Sequence, residues 1–396
     1  MTIKDNIKNI LGYVFIFASI LIIIYVQFIY PKSSTVNQTY SVYTFLSSSW
    51  EKYKNQFINK DGRVIDYSQG SITTSEAQSY ALLRSVWVGD KSTFDLSWNW
   101  TKDNLKRNGD HLFGWRWGKL PNGKYGFQSS SDQNTASDAD SDIALSLILA
   151  SRRWNDKKYL DQALPILNDI WKIDVATASG KNYLTAGNWA KSDQRIIINP
   201  SYFAPYAYRI FSFVDKEHDW NSLIGSSYDL LNKTKNATLD KKGVGIPPDW
   251  LSIDTKTGQL LPPNTDNLTT NYSYEAVRIP WRIGLDYQWN KSQAAKDYLT
   301  SAFDFLLEDY KKNGKLASIY SFDGSVVSAQ ENPITYATIL GAFMVDNPDL
   351  AKKIYKEKVL TLYSNDTNSF NSNLSYYEQN WLWFGAALYN NQLRDF

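Results

Sequence analysis

Three short segments hold acids at spacings that could carry proton transfer. In Thr73-Thr74-Ser75-Glu76-Ala77-Gln78-Ser79-Tyr80, Ser75 is placed to cap a helix, with Gln78 completing a capping box. Glu76 then falls in the first turn. The helix dipole favours an acid there whatever its function, so Glu76 alone reads as structural and gains a catalytic reading only in company. In Ala136-Ser137-Asp138-Ala139-Asp140-Ser141-Asp142, three acids at alternate positions precede an apolar helical run to Trp154. They serve as N-cap and dipole partners, or as a calcium loop lacking the usual Gly and terminal Glu. A third reading is that a polyhydroxylated ligand offsets their repulsion. The third segment runs from Asn271 to Arg282 and contains Glu275, Arg278 and Arg282. The two arginines are spaced i, i+4 and share a helix face, while Glu275 and Arg278 at i, i+3 read locally as an ion pair.

Composition narrows the chemistry. The 396 residues contain no cysteine and only two histidines, His111 and His218. Thiolate sites and disulfides are excluded, and neither a multi-histidine metal centre nor any other metal or cofactor is expected. With 42 Lys and Arg against 40 Asp and Glu, net +2, no nucleic-acid partner is expected. What remains is carboxylate chemistry beside abundant aromatic rings, 15 Trp, 27 Tyr and 18 Phe. Rings in Phe113-Gly114-Trp115-Arg116-Trp117, Pro200-Ser201-Tyr202-Phe203 and Pro247-Pro248-Asp249-Trp250 lie in Gly- and Pro-rich loops and suit stacking on sugar faces; others lie on helical stripes and belong to the core.

Those acids need a scaffold. Apolar residues recur at helical spacing over 41–57, 75–87, 91–107, 138–154, 156–174, 201–214, 219–235, 273–289, 292–313, 333–346, 348–363 and 373–391, which predicts about twelve helices in one domain over 40–396. The pattern is all-α, six helical hairpins in a two-layer toroid, with short strands at 195–198 and 325–327. Long Gly-, Asn- and Trp-bearing stretches at 108–137, 177–200 and 237–272 are expected to build the functional cleft. Ahead of this domain come a cytoplasmic segment 1–9, an uncharged run from Ile10 to Tyr30 and a tether over 31–39. The run is long enough to span a bilayer. It predicts a single-pass membrane anchor with the domain outside the cell, or a secreted protein if the run is cleaved as a signal peptide.

Taken together the segments resemble glycoside hydrolase family 8, from about Ser48 to Trp383. TSEAQSYALL resembles the family's S-E-G-Q-S-Y-G segment, and ASDADSDIALSLILASRRW fits its signature; NPSYFAPYAYRIF, PPDW and RIPWRIGLDYQW follow in order. The resemblance implies an (α/α)6 toroid. It makes Glu76 the general acid and Asp138 an active-site acid at the cleavage point. Glu275 stands where many relatives carry aspartate as catalytic base; either it serves as base with an adjusted cleft, or another acid such as Asp132, Asp193 or Asp249 does. Ala77 and Ala81 replace usual glycines. Tyr80, Trp115, Arg116, Trp117, Asp140, Tyr202, Arg278 and Trp281 complete the expected sugar-binding set.

These readings imply an inverting, endo-acting hydrolase of a β-linked polysaccharide, with the cell's own exopolysaccharide as the expected polymer, acting as a monomer. A catalytically silent polysaccharide-binding protein on the same scaffold is the alternative. A lyase, which would use Tyr or His as base, is a third.

Overall fold

In the computed structural model, which describes residues 42–396, helices alternate along the chain between one buried on nearly every side and one with a wet face. The expected cytoplasmic segment, membrane span and tether lie outside the described residues. Among those described, no helix is long and apolar enough to cross a membrane.

The buried helices are α2 (Ser75–Val88), α4 (Ser137–Trp154), α6 (Pro205–Val214), α8 (Ile279–Asn290), α11 (Pro333–Asp346) and α13 (Tyr376–Tyr389). Each contacts the next, and α13 returns to α2, so the six close into a ring. Outside them lie α3 (Lys91–Asn104), α5 (Lys157–Asp169), α7 (Trp220–Thr234), α9 (Gln293–Leu299), α10 (Asp304–Asn313) and α12 (Pro348–Ile354). Apart from α10, each of these packs on the inner helix that precedes it. Helix α5 shows the logic: Tyr159, Ala163, Ile166 and Leu167 face inward at i, i+4, i+7 and i+8, the spacing of one helical stripe. The first helix, α1 (Val42–Phe57), backs α13 and α2 through a core of Trp50, Tyr53, Phe57, Ala77, Ala81 and Tyr376. The all-α toroid of about twelve helices is therefore as expected.

Local chemistry sets the joints. Asn155 ends α4 in the left-handed conformation (φ 48°), and Asp156 then caps α5. Helices α8 and α11 touch backbone to backbone: a Cβ on Gly341 would lie 2.2 Å from the Pro280 carbonyl oxygen, so nothing larger than glycine fits.

Three expectations are corrected. The predicted helix over 292–313 breaks between Leu299 and Asp304 into α9 and α10. The one over 348–363 is α-helical only to Ile354. Thr74, not Ser75, caps α2, its hydroxyl accepting from the Ala77 amide at 3.1 Å. Gln78 is buried instead, accepting from the Val64 amide and donating to Thr101.

The long stretches between hairpins carry small antiparallel sheets. Strand β2 (Arg116–Lys119) joins β1 (Thr73–Thr74) to β3 (Tyr125–Gly126); β4 (Val175–Ala178) pairs with β5 (Lys181–Leu184); β7 (Leu251–Asp254) lies between β6 (Arg195–Ile198) and β8 (Leu260–Leu261). Of these only β6 is foreseen from the sequence. The predicted strand at 325–327 is observed as β10 (Val326–Ser328), paired with β9 (Ile319–Tyr320).

Candidate active site

A cleft of about 700 Å³ opens over the N-terminal ends of the inner helices. Thr74 and Glu76 come to it from α2, Ala136 and Asp138 from α4, Glu275 from the turn leading into α8, and Tyr376 from α13. Trp115, Trp189, Tyr202 and Trp250 form its aromatic walls. Two of these, Trp115 and Trp189, are more than a third exposed. Tyr202 meets Trp250 edge-on at 5.9 Å, and Trp189 leans toward Trp250 at 6.2 Å.

The floor is organised by one arginine. Arg278 is fully buried. Its Nη1 donates to Glu76 Oε2 at 2.9 Å and to Asp138 Oδ2 at 3.0 Å, and its Nη2 pairs with Glu275 Oε2. One turn further on, Arg282 grips Asp142 with two parallel bonds of 3.0 and 2.9 Å. The acid series explains this ladder. Asp138 and Asp142 stand i, i+4 on α4 and face Arg278 and Arg282, also i, i+4. Asp140, between them in sequence, points elsewhere: its Oδ1 accepts from the Phe113 amide at 3.1 Å and it does not line the cleft. The three acids thus diverge, which removes the calcium-loop reading.

Three carboxylates around one guanidinium cannot all be comfortable. Burial raises the Glu76 pKa to about 7; the Arg278 charge opposes this, while Asp138 and Glu275 add to it. Asp138 is raised to about 6, again chiefly by burial against the pull of Arg278 and Arg282. Glu76 Oε1 also accepts from the Tyr376 hydroxyl at 3.1 Å. Asp138 Oδ1 is buried with no partner among the described residues, an acceptor available to a hydroxyl. The local arrangement therefore holds a proton near neutrality beside a carboxylate, as acid–base chemistry requires.

The other candidates are sorted by burial. Tyr80 lies beneath the floor, its hydroxyl 3.3 Å from Arg278 Nη1 and its ring edge-on to Trp381 and Phe384. Trp281, only 2% exposed, donates to the Phe384 carbonyl and is core. Trp117 stacks on Tyr125, and Arg116 lies beside the Trp115 ring. None of these four lines the cleft; their places are structural. Among the alternative acids, Asp132 is taken up by the Gln128 and Ser129 amides. Asp249, raised by burial to about 7, is bound by the Ser273 and Ala276 amides, and Asp193 is exposed in a loop. None of these reaches the lining. Residues that local sequence reasoning passed over are Trp189, Asn199 and Tyr376. Trp189 was legible only as a tryptophan in a long loop; nothing local singles out the other two.

A closed helical toroid with paired carboxyls at its inner helix ends under aromatic walls suits a glycoside hydrolase. Comparison with known proteins gives the family. The profile of Glycosyl hydrolases family 8 matches residues 21–384, and the chain belongs to that family. It is 30% identical over 344 residues to endoglucanase C of Ruminiclostridium cellulolyticum, covering 83% of this chain and 68% of that protein. It thus spans about two thirds of that relative's length. An endoglucanase of Escherichia coli is 28% identical over 339 residues, covering 84% of this chain and 86% of that one. The crystal structure of endo-1,4-D-glucanase from Vibrio fischeri ES114 superposes with a TM-score of 0.71 at 28% identity, over 87% of this chain and 94% of that one. The chain is accordingly an enzyme of the inverting, endo-acting glycoside hydrolase class.

Proposed function

We propose that the chain cleaves a β-linked glucan within the polymer, with Glu76 as general acid and Glu275 as general base. The observation that carries this reading is the convergence of Glu76, Asp138 and Glu275 on Arg278 at the bottom of an aromatic cleft. Glu76 holds a proton to about pH 7 and gives it to the departing glycosidic oxygen. Glu275 takes a proton from water, which attacks the anomeric carbon from the opposite face and inverts it. The two acids are held by different nitrogens of a single guanidinium, Glu76 by Nη1 and Glu275 by Nη2. Asp138 supplies its free oxygen to a hydroxyl of the sugar at the cleavage point. Trp115 and Trp189, exposed on the cleft walls, stack on flanking rings. The names of the relatives support a glucan as the polymer.

The uncharged run from Ile10 to Tyr30 further supports a membrane-anchored enzyme that trims the cell's own exported polymer as it emerges. That part fails if the mature protein is freely released and inactive on every polymer the producing cell makes.

The catalytic reading is tested by following product anomers by proton NMR in the first minutes of hydrolysis. Inversion delivers the α-anomer from a β-glucan before mutarotation, and Glu76→Gln abolishes release while the polymer still binds. Initial β-anomer, or full activity in Glu76→Gln, overturns it.

A further inference from the structure

Glutamate in place of aspartate adds a rotatable bond to the base, and a base that wanders cannot hold water in line. The surroundings of Glu275 contain a device that removes this freedom. Asp249 fixes the backbone on both sides, accepting from the Ser273 amide at 3.0 Å and the Ala276 amide at 2.7 Å. The side chain is then held by Asn199, whose Nδ2 donates to Glu275 Oε2 at 2.8 Å.

Asn199 cannot turn its amide over. Its Oδ1 accepts from the Ser201 amide at 3.0 Å and the Ser201 hydroxyl at 2.7 Å, so the NH2 end must face the carboxylate. The same Ser201 hydroxyl accepts from Arg278 Nε and Nη2 at 3.1 and 2.7 Å, and Arg278 Nη2 reaches Glu275 Oε2. Asn199, Ser201, Arg278 and Glu275 therefore form a closed circuit. Both of its donors to the carboxylate fall on Oε2. Oε1 takes part in none of these bonds, and the Glu275 side chain is 31% exposed on the cleft.

We propose that Asn199 is a positioning residue for the base: by pinning Oε2 it leaves Oε1 as the oxygen that holds and deprotonates the attacking water. The proposal rests on Glu275 being the base.

Two variants of the full chain test it. Asn199→Ala removes the donor together with the cap on the Pro200–Tyr202 turn. Asn199→Asp keeps the cap acceptor but sets a like charge beside Glu275. Both are expected to lower kcat about 10- to 100-fold with KM within about twofold, a change of about 1.4 kcal/mol per tenfold. In a Glu275→Asp background, where the shorter side chain no longer reaches Asn199, the Asn199→Ala substitution should cost less than threefold further. Unchanged kcat in a folded Asn199→Ala enzyme, or equal losses in both backgrounds, overturns the proposal. Wild-type activity in Glu275→Gln defeats the base assignment itself and is read separately from either result.

Discussion

Glu76 and Asp138, at the heads of two different inner helices, accept hydrogen bonds from the same nitrogen, Arg278 Nη1, at 2.9 and 3.0 Å. Both carboxyls are therefore tuned by one group, and the arginine cannot be changed for one without the other.

Arg278→Lys retains a charge but not the planar fork that reaches Glu76, Asp138 and Glu275 at once. A loss of about 100- to 1,000-fold in kcat is expected, the scale seen when a preorganised charged donor is removed. Steady-state assay on a soluble β-glucan, with circular dichroism as the control for folding, measures it. Near-wild-type turnover in the lysine variant removes Arg278 from the centre of the site.

The pH profile follows from Glu76. Its carboxyl is protonated below about pH 7, and in the proposed role of general acid only that form donates. kcat/KM should fall tenfold per pH unit above about 7, and Glu76→Asp, with a shorter reach, should be both slower and shifted.

Stability carries the same signature with a definite sign. The native Glu76 keeps its proton to about pH 7, whereas an exposed glutamate loses it near 4.5. Across that window the folded chain binds more protons than the unfolded one, so its stability falls as pH rises and levels off above about 7. Asp138, Asp174 and Asp249, raised to about 6, 7 and 7, act in the same direction. Glu76→Gln should raise the thermal midpoint at pH 8 and show a shallower decline between pH 5 and 8; an identical slope in both proteins contradicts the raised pKa.

The Asp142–Arg282 pair is buried and bidentate, with the Tyr206 hydroxyl 2.8 Å from Arg282. Asp142→Ala strands an unpaired guanidinium in the core and should cost about 3–5 kcal/mol, measured by urea unfolding. Arg282 lies outside the cleft lining, so the surviving folded fraction should keep near-normal KM.

Gly341→Ala pushes a methyl group into the Pro280 carbonyl. Overpacking of this kind costs about 1–3 kcal/mol. Because Pro280 follows Arg278 by two residues, kcat should fall as well, and a crystal structure of the variant should show α8 displaced from α11.

The toroid was legible because its helices declare themselves locally: α5 shows a four-residue apolar stripe, and Asn155-Asp156 ends one helix and starts the next. The break between Leu299 and Asp304 was not legible, because Ala302 and Phe303 there are buried and keep the apolar pattern running. At the site, acids at helix starts were visible as a pattern, and the i, i+4 arginines pointed to a shared face. Which face each ring or acid presents was not visible. Asp140 and Trp281 sit in the right motifs but turn away from the cleft, while Tyr376 reaches Glu76 from 300 residues away. Asn199 escaped notice for a similar reason. Its amide becomes a partner of Glu275 only when the fold brings it there.

With Arg282 already matched by Asp142, Arg278 is the one cation among the described residues paired with Glu76, Asp138 and Glu275, so this cluster carries excess negative charge even with one acid protonated. Such a trough admits uncharged chains and repels those decorated with uronate, sulfate or phosphate groups. Acidic polymers should therefore be poorer substrates than neutral ones, by a margin that narrows as salt shortens the reach of that field.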